Sequence, residues 1–385
     1  MGGPSPSGPL AGVRIVEFAG VGPGPFCAML LADMGADIIT LDREHPSGLG
    51  IRKEPRFNPI TRSRRSIALD LKSEAGRDTA LALISKADAL IEGHRPGVME
   101  RLGLSPDACL AINPALVYGR MTGWGQEGPL SQAVGHDLNY LAISGVLGLI
   151  GPAERPAIPL NLLGDYGGGG VYLALGLLAA ILEARRSGLG QVVDAAMLDG
   201  ILSLMTAQFG FFESERWTEA REANFLDGGA PWYSVYETAD GGFVSVAAVE
   251  HKFYVELLAA MELDPADLPD QMDSSSWIEL KARFAEIFRT RTRAAWERVM
   301  EGRSACFAPV LSPAEAVRHP HMIARRAHQR VAGVLQPAPA PRFSRTPASV
   351  QHEPPVPGEH TQAVLAEWGV SRAAPSDLKS SGTIA

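Results

Sequence analysis

The chain has 385 residues, 46% of them hydrophobic and 20% charged, with a formal net charge of −8. That length exceeds one ordinary core and suits two domains, or one large domain with an insertion. The acidic balance, with no long lysine or arginine run, argues against a nucleic-acid partner. Cys27, Cys109 and Cys306 are too far apart for a CxxC pair or a disulfide framework, which points to a reducing cytoplasm.

The start, "MGGPSPSGPL", lacks a basic segment followed by an apolar one; it reads as a flexible leader, not a secretory signal. "VRIVEF" is a β-branched run that ends in the glycine loop "AGVGPGP". "FCAMLLADMG" follows at helical spacing, and "DIITLDR" reads as a second strand. Strand, glycine loop, helix and strand make a βαβ unit with parallel pairing. A helix near 74–87, a strand at "DALIEG", short helices from 97 to 113 and a strand at "ALVYGRMTG" continue the alternation. The fold class is therefore α/β, with a large doubly wound domain.

"GDYGGGG" leads into a helix over 171–186 that stops at Gly188. Its longest apolar run, "VYLALGLLAAIL", is too short to span a bilayer and reads as a buried helix. A strand-like start at "GQVVDAA" runs into another apolar helix, and polar residues from 213 to 231 read as a linker. "GGFVSVAAVEHKFYVELLAAM" is strand, turn and helix, and opens a smaller α+β unit. The chain thus divides into 1–190, 191–231 as linker helices, 232–330, and a proline-rich segment 331–385 that needs another surface to lie on. The final "SDLKSSGTIA" has a disordered composition.

Several stretches carry chemistry. "GVGPGP" is a partial dinucleotide fingerprint with Pro25 at the third glycine position, Asp42 at the matching distance, and Arg43 suited to a phosphate. Basic residues gather at Arg62, Arg64, Arg65 and Lys72, and again at His94, Arg95 and Arg101, as spots for a polyanionic small molecule. The glycines after Asp165 would let a ligand approach the backbone at a helix start, with Asp165 as its cap. In "GHDLNY", His136 is either an acid/base group or a polar residue capping the helix that follows, with Asp137 as a second candidate for the capping group. His319 and His321 have no carboxylate or cysteine at ligand spacing, so no metal site is expected. Neither G-x-S-x-G nor HExxH occurs.

Taken in order, "GPLAGVRIVEFAGVGPGPFCAMLLADMGADIITLDR", "SIALDLKS", "LIEGHRPGVMERLGL", "GRMTGWGQEGP", "GHDLNYLAISGVLGLIG", "NLLGDYGGGG", "GQVVDAAMLDG", "LDGGAPWYSVYETADGGFVSVAAVE" and "PAPRFSRTP" resemble the α-methylacyl-CoA racemases, a branch of the family III CoA transferases. The resemblance runs from about residue 9 to about residue 350. It implies His136 and Asp165 as the two acid/base residues and Glu250 as a further active-site carboxylate. It implies CoA contacts at Arg43, at Leu69, Asp70, Leu71 and Lys72, at Gly93, His94 and Arg95, at Arg101, and along the backbone of Gly135, Asp137, Leu138, Asn139 and Tyr140. It further implies an interlocked homodimer, with each active site completed by the small domain of the other chain. No metal, no cofactor beyond the CoA moiety of the substrate, and no membrane insertion are expected.

Inverting a carbon α to a thioester needs a proton taken from one face and returned to the other, so two different bases are expected. The enolate between them needs donors, and the amides after Asp165 are the candidates. Met197 and Met205 are candidates for a tolerant acyl groove, or for plain core. A family III CoA transferase would instead use Asp165 as a nucleophile through a mixed anhydride. A CoA-binding protein without catalysis would explain the basic spots but not His136, Asp165 and Glu250 together.

Overall fold

A computed structural model describes residues 7–43, 48, 50, 51 and 53–370. The first six residues of the leader and the closing "SDLKSSGTIA" lie outside them. The described chain forms two compact units. Of the described residues, the first draws on those within 7–144, Leu160–Leu204 and 326–370; the second on Gly145–Pro159 and Met205–Arg325.

In the first unit six strands, β1 (Arg14–Phe18), β2 (Asp37–Asp42), β3 (Arg65–Ala68), β4 (Ala89–Glu92), β5 (Val117–Thr122) and β6 (Gln191–Ala196), form one sheet. Its order is β3-β2-β1-β4-β5-β6 and every pairing is parallel. The order reverses between β1 and β4, the switch point at which such sheets hold ligands beyond their C-terminal ends. β1 and β4 are almost wholly buried, and β2 buries Ile38, Ile39 and Leu41, as a sheet covered on both faces requires. Part of the span read as a linker, 191–196, is therefore the edge strand of this sheet.

The C-terminal segment returns to this unit. A short antiparallel hairpin, β10 (His328–Val331) with β11 (Val334–Pro337), precedes it. Val364, Leu365 and Trp368 then join the core beside Leu83 and Ile84. The Trp368 indole also donates to Asp37 at 3.0 Å.

The arginines of "RSRR" are internal. Arg62 is 3% exposed and grips Asp33 and Gln336; Arg64 is 1% exposed and grips both oxygens of Glu17 at 2.6 Å. Arg65 is tied to Asp37 and Glu367. None of the three is free for a polyanion. Glu17→Leu should cost about 3–5 kcal/mol in urea unfolding, because it strands a buried cation. Arg64→Leu should cost less, since a carboxylate left behind can take up a proton while a guanidinium cannot shed one. Equal, small losses would show the pair to be hydrated.

The second unit has β7 (Tyr233–Glu237), β8 (Phe243–Ala247) and β9 (Phe307–Val310) in an antiparallel sheet. Its core includes Trp232 just before β7, Tyr236 from β7, and Phe284, Phe288 and Trp296 from helices Trp277–Phe288 and Arg293–Met300.

Among the described residues one helical run, Leu162–Ser187, is long and apolar enough to cross a membrane by length and composition alone, and 50% of its most apolar window is buried. It joins the helix expected over 171–186 to a π-helical segment, Leu162–Val171. Leu173 and Leu177 are fully buried where the run lies against Gly119 of β5, which is the packing of a core helix.

Candidate active site

The loops that follow the sheet strands carry most of the expected CoA contacts. Arg43 follows β2 and is exposed; Leu69, Asp70, Leu71 and Lys72 follow β3; Gly93, His94 and Arg95 follow β4. Arg101 closes the short helix Val98–Arg101 and is exposed. Lys72 and Arg95 are exposed, while Leu69 is buried. The His94 amide donates to Glu92 at 2.7 Å, which fixes the loop after β4. Arg43, Lys72 and Arg95 thus follow the C-terminal ends of three strands of the sheet, with Arg101 six residues beyond Arg95.

Asp42 is not a free ribose ligand. It accepts from the Ser66 hydroxyl at 2.6 Å, and burial pushes its carboxyl up to about 6.

His136 sits in extended conformation at the N-terminus of the helix Asp137–Ile143 and is exposed. Its amide donates to the Asn139 side chain at 3.0 Å, and its carbonyl accepts from the Asn139 amide at 2.8 Å. His136 is the N-cap, and with Asn139 it forms a capping box in which the imidazole faces the Asn139 amide. Tyr140 is buried beneath, donates its hydroxyl to the Gly135 carbonyl, and meets the Trp124 ring edge-on at 4.7 Å. Burial, with Asp165 and Asp137 nearby, pushes the Tyr140 phenol up to about 12, so it remains a neutral donor.

Asp137 is not the capping side chain. It is the first helical residue, 7% exposed, and its Oδ1 accepts the amide of Asp165 at 2.7 Å. That bond joins the GHD and GD motifs directly.

Asp165 lies inside the π-helical segment, not in front of a helix, so it caps nothing. Its Oδ2 accepts from Asn161 at 3.1 Å. Its pKa is raised, chiefly by desolvation; the Asn161 hydrogen bond opposes the rise, Asp137 adds to it, and His136 opposes it. The two candidate bases are thus within electrostatic reach of each other.

The glycines after Asp165 serve packing. A Cβ on Gly168 would lie 2.8 Å from Ile201, one on Gly169 2.8 Å from Met197 and Pro23, and one on Gly170 2.8 Å from Phe26. They seat the segment on the helices Pro23–Asp33 and Met197–Leu204. Met197 is core for the same reason, and Met205 belongs to the second unit. The amides after Asp165 lie within a helical run whose i→i+5 pattern uses them internally.

The loop "GVGPGP" has another use than the one its glycines suggest. Gly22 holds φ 72° and ψ −123°, a conformation open to glycine, at the start of the helix Pro23–Asp33. A Cβ there would lie 3.4 Å from Asp165 Oδ2. Gly22 is a wall of the Asp165 site that motif reading missed. Its only sequence signal is a glycine loop at the switch point of the sheet.

Glu250 belongs to the second unit. It is exposed and directly precedes the helix His251–Ala260. Gln271 pins the preceding carbonyls of Ala248 and Val249, each at 3.0 Å. The Cys306 thiol beside it is pushed up, first by desolvation and then by the Glu250 charge.

Residues 10–361 match the model of CoA-transferase family III. The chain is 45% identical to α-methylacyl-CoA racemase of Mus musculus and 42% identical to that of Homo sapiens, in each case over 94% of this chain and 94% of the relative. Rv3272 from M. tuberculosis has the same fold, with a TM-score of 0.76 at 27% identity, covering 92% of this chain and 99% of that one. A family match over this span, with a six-stranded parallel sheet of the same class, makes the chain a member of the family III CoA transferases.

Proposed function

We propose that the chain is a racemase of 2-methylacyl-CoA thioesters, interconverting the 2R and 2S forms by proton transfer through an enolate. The observation that carries this reading is the pairing of His136 with Asp165 through Asp137. Two bases of different kind are fixed by one short stretch of bonds. A transferase needs the aspartate but has no use for a histidine tied to it. The identity to two racemases supports the same choice.

The steps follow from the residues. One base removes the α-proton, and its electron pair moves into the enolate. The other base, protonated, returns a proton to the opposite face. No atom is gained or lost, and the bases have exchanged protonation states. Burial raises the Asp165 carboxyl toward working pH, which suits a group that must both take and give a proton. The enolate oxygen is met by the amides of Asp137 and Leu138 at the start of the helix Asp137–Ile143, since the His136 carbonyl takes up those of Asn139 and Tyr140 but not these two. This places the donors after His136 rather than after Asp165.

Arg43, Lys72, Arg95 and Arg101 hold the phosphates of CoA, with Leu69, Asp70, Leu71, Gly93 and His94 in the same loops and Gly135, Asp137, Leu138, Asn139 and Tyr140 nearer the thioester. In the interlocked homodimer that the family resemblance implies, the partner subunit's Glu250 orients the His136 imidazole. The reading uses no metal and no cofactor beyond CoA, no membrane insertion, and a cytoplasmic setting.

The test is one enantiomer of a 2-methylacyl-CoA in deuterated water. Deuterium at Cα with loss of configuration, and no second acid required, is the expected result. No exchange, with CoA passing to an added carboxylic acid, would establish the transferase reading instead.

A further inference from the structure

We propose that Asp137 is a positioning residue that sets the separation of the two bases, its backbone following His136 and its carboxylate holding the amide of Asp165. The inference rests on the racemase reading and adds to it the device that fixes the geometry. Between the two bases there is one peptide link, His136 to Asp137, and one hydrogen bond of 2.7 Å.

Three observations support it. First, the Asp165 amide needs an external acceptor. In an i→i+5 segment starting at Leu162, the first amides find no carbonyl within the helix. Asp137 supplies the acceptor, and a charged acceptor makes a stronger bond than a neutral one. Second, Asp137 is 7% exposed, so its place is built rather than incidental. Third, Gly164 is shaped around it: a Cβ there would lie 2.3 Å from Asp137 Oδ1 and 2.9 Å from its Cγ. Asn161 and Gly22 then set the other end of the Asp165 side chain.

The backbone of Asp137 lies along the thioester, but its carboxylate faces the Asp165 amide, so losing the carboxylate acts on turnover rather than on CoA binding. The CoA contacts come largely from the loops after β2, β3 and β4, which Asp137 does not hold. A misplacement of about 1 Å at a reacting group costs about 10²-fold in rate.

The experiment compares Asp137→Ala, Asp137→Asn and Gly164→Ala with the wild type, following α-proton exchange from each enantiomer in deuterated water. Asp165→Asn identifies which enantiomer depends on Asp165. With Asp137→Ala, exchange from that enantiomer should fall about 10²-fold and from the other far less, with KM nearly constant. Asp137→Asn keeps an acceptor oxygen and should restore most of the rate. Gly164→Ala keeps the carboxylate but displaces it, and should reproduce the Asp137→Ala pattern. Should Asp137→Ala not fold, the other two variants carry the same comparison.

Equal losses for both enantiomers, or an Asp137→Asn variant as poor as Asp137→Ala, would overturn the proposal. A wild-type chain that transfers CoA and exchanges no α-proton overturns the racemase reading instead. The link is then judged by the same variants on transfer. Loss with Ala and recovery with Asn supports it, and loss with neither overturns it.

Discussion

Asp165→Asn is expected to lower racemisation about 10²–10⁴-fold, the range that a positioned acid/base group supplies, while one enantiomer still exchanges its α-proton. The substitution is close to isosteric. The Asp165 amide still reaches Asp137, and an amide oxygen at the same place still accepts from Asn161. What disappears is a group able to carry the proton. The surviving exchange belongs to His136, which can deprotonate its own enantiomer and hand the deuteron back to the same face. The pH profile gives a second measurement. Asp165 is raised above the ordinary carboxylate range by burial and by Asp137, against the pull of Asn161 and His136, with the neutral Tyr140 below. A raised carboxyl stays protonated to higher pH. The direction that needs the carboxylate should therefore fade, as pH falls, earlier than an unburied aspartate would require. Asp165→Asn should abolish that limb. A variant that racemises normally would remove Asp165 from the reaction.

Residues close in sequence were more legible than residues close only in space. The βαβ alternation could be read because β-branched runs, glycine stops and helical periodicity are local signals. The six-stranded parallel sheet and the smaller α+β unit agree with it. The arginines were misread for the opposite reason. Nothing near Arg64 in the sequence announces Glu17, and nothing near Arg65 announces Glu367. A cation paired 47 or 302 positions away looks like a free one.

The same limit explains the glycines. "GDYGGGG" signals close approach, but not what approaches, and here it is two helices rather than a ligand. The π-helical winding has no composition of its own, so Asp165 looked like a cap in front of a helix that in fact starts at Leu162. The role of Asp137 follows from that winding. Only once the Asp165 amide is known to lack a partner within the helix does the neighbouring aspartate of "GHD" acquire a reason to be buried.

The complementary result is expected from His136→Ala. Racemisation should again fall about 10²–10⁴-fold, but the enantiomer that keeps exchanging should be the one silenced by Asp165→Asn. The structure makes the substitution clean. The imidazole faces the Asn139 amide in a capping box, but that amide also has the His136 carbonyl as acceptor and the Asn139 side chain still holds the His136 amide, so most of the cap survives loss of the ring. The imidazole is exposed, and its loss opens no core cavity. Thermal unfolding should therefore shift by no more than a surface substitution does, about 0.5 kcal/mol. The crossed pattern is the decisive feature. In a transferase, Asp165→Asn stops the reaction and His136→Ala leaves it running, because only the nucleophile forms the anhydride. With one base serving both faces, the variant that removes it would silence both enantiomers and the other variant would silence neither. Two bases on opposite faces predict that each variant spares the enantiomer the other destroys. Comparing deuterium incorporation from both enantiomers in both variants separates the three cases, and it also assigns each base to its face of the α-carbon.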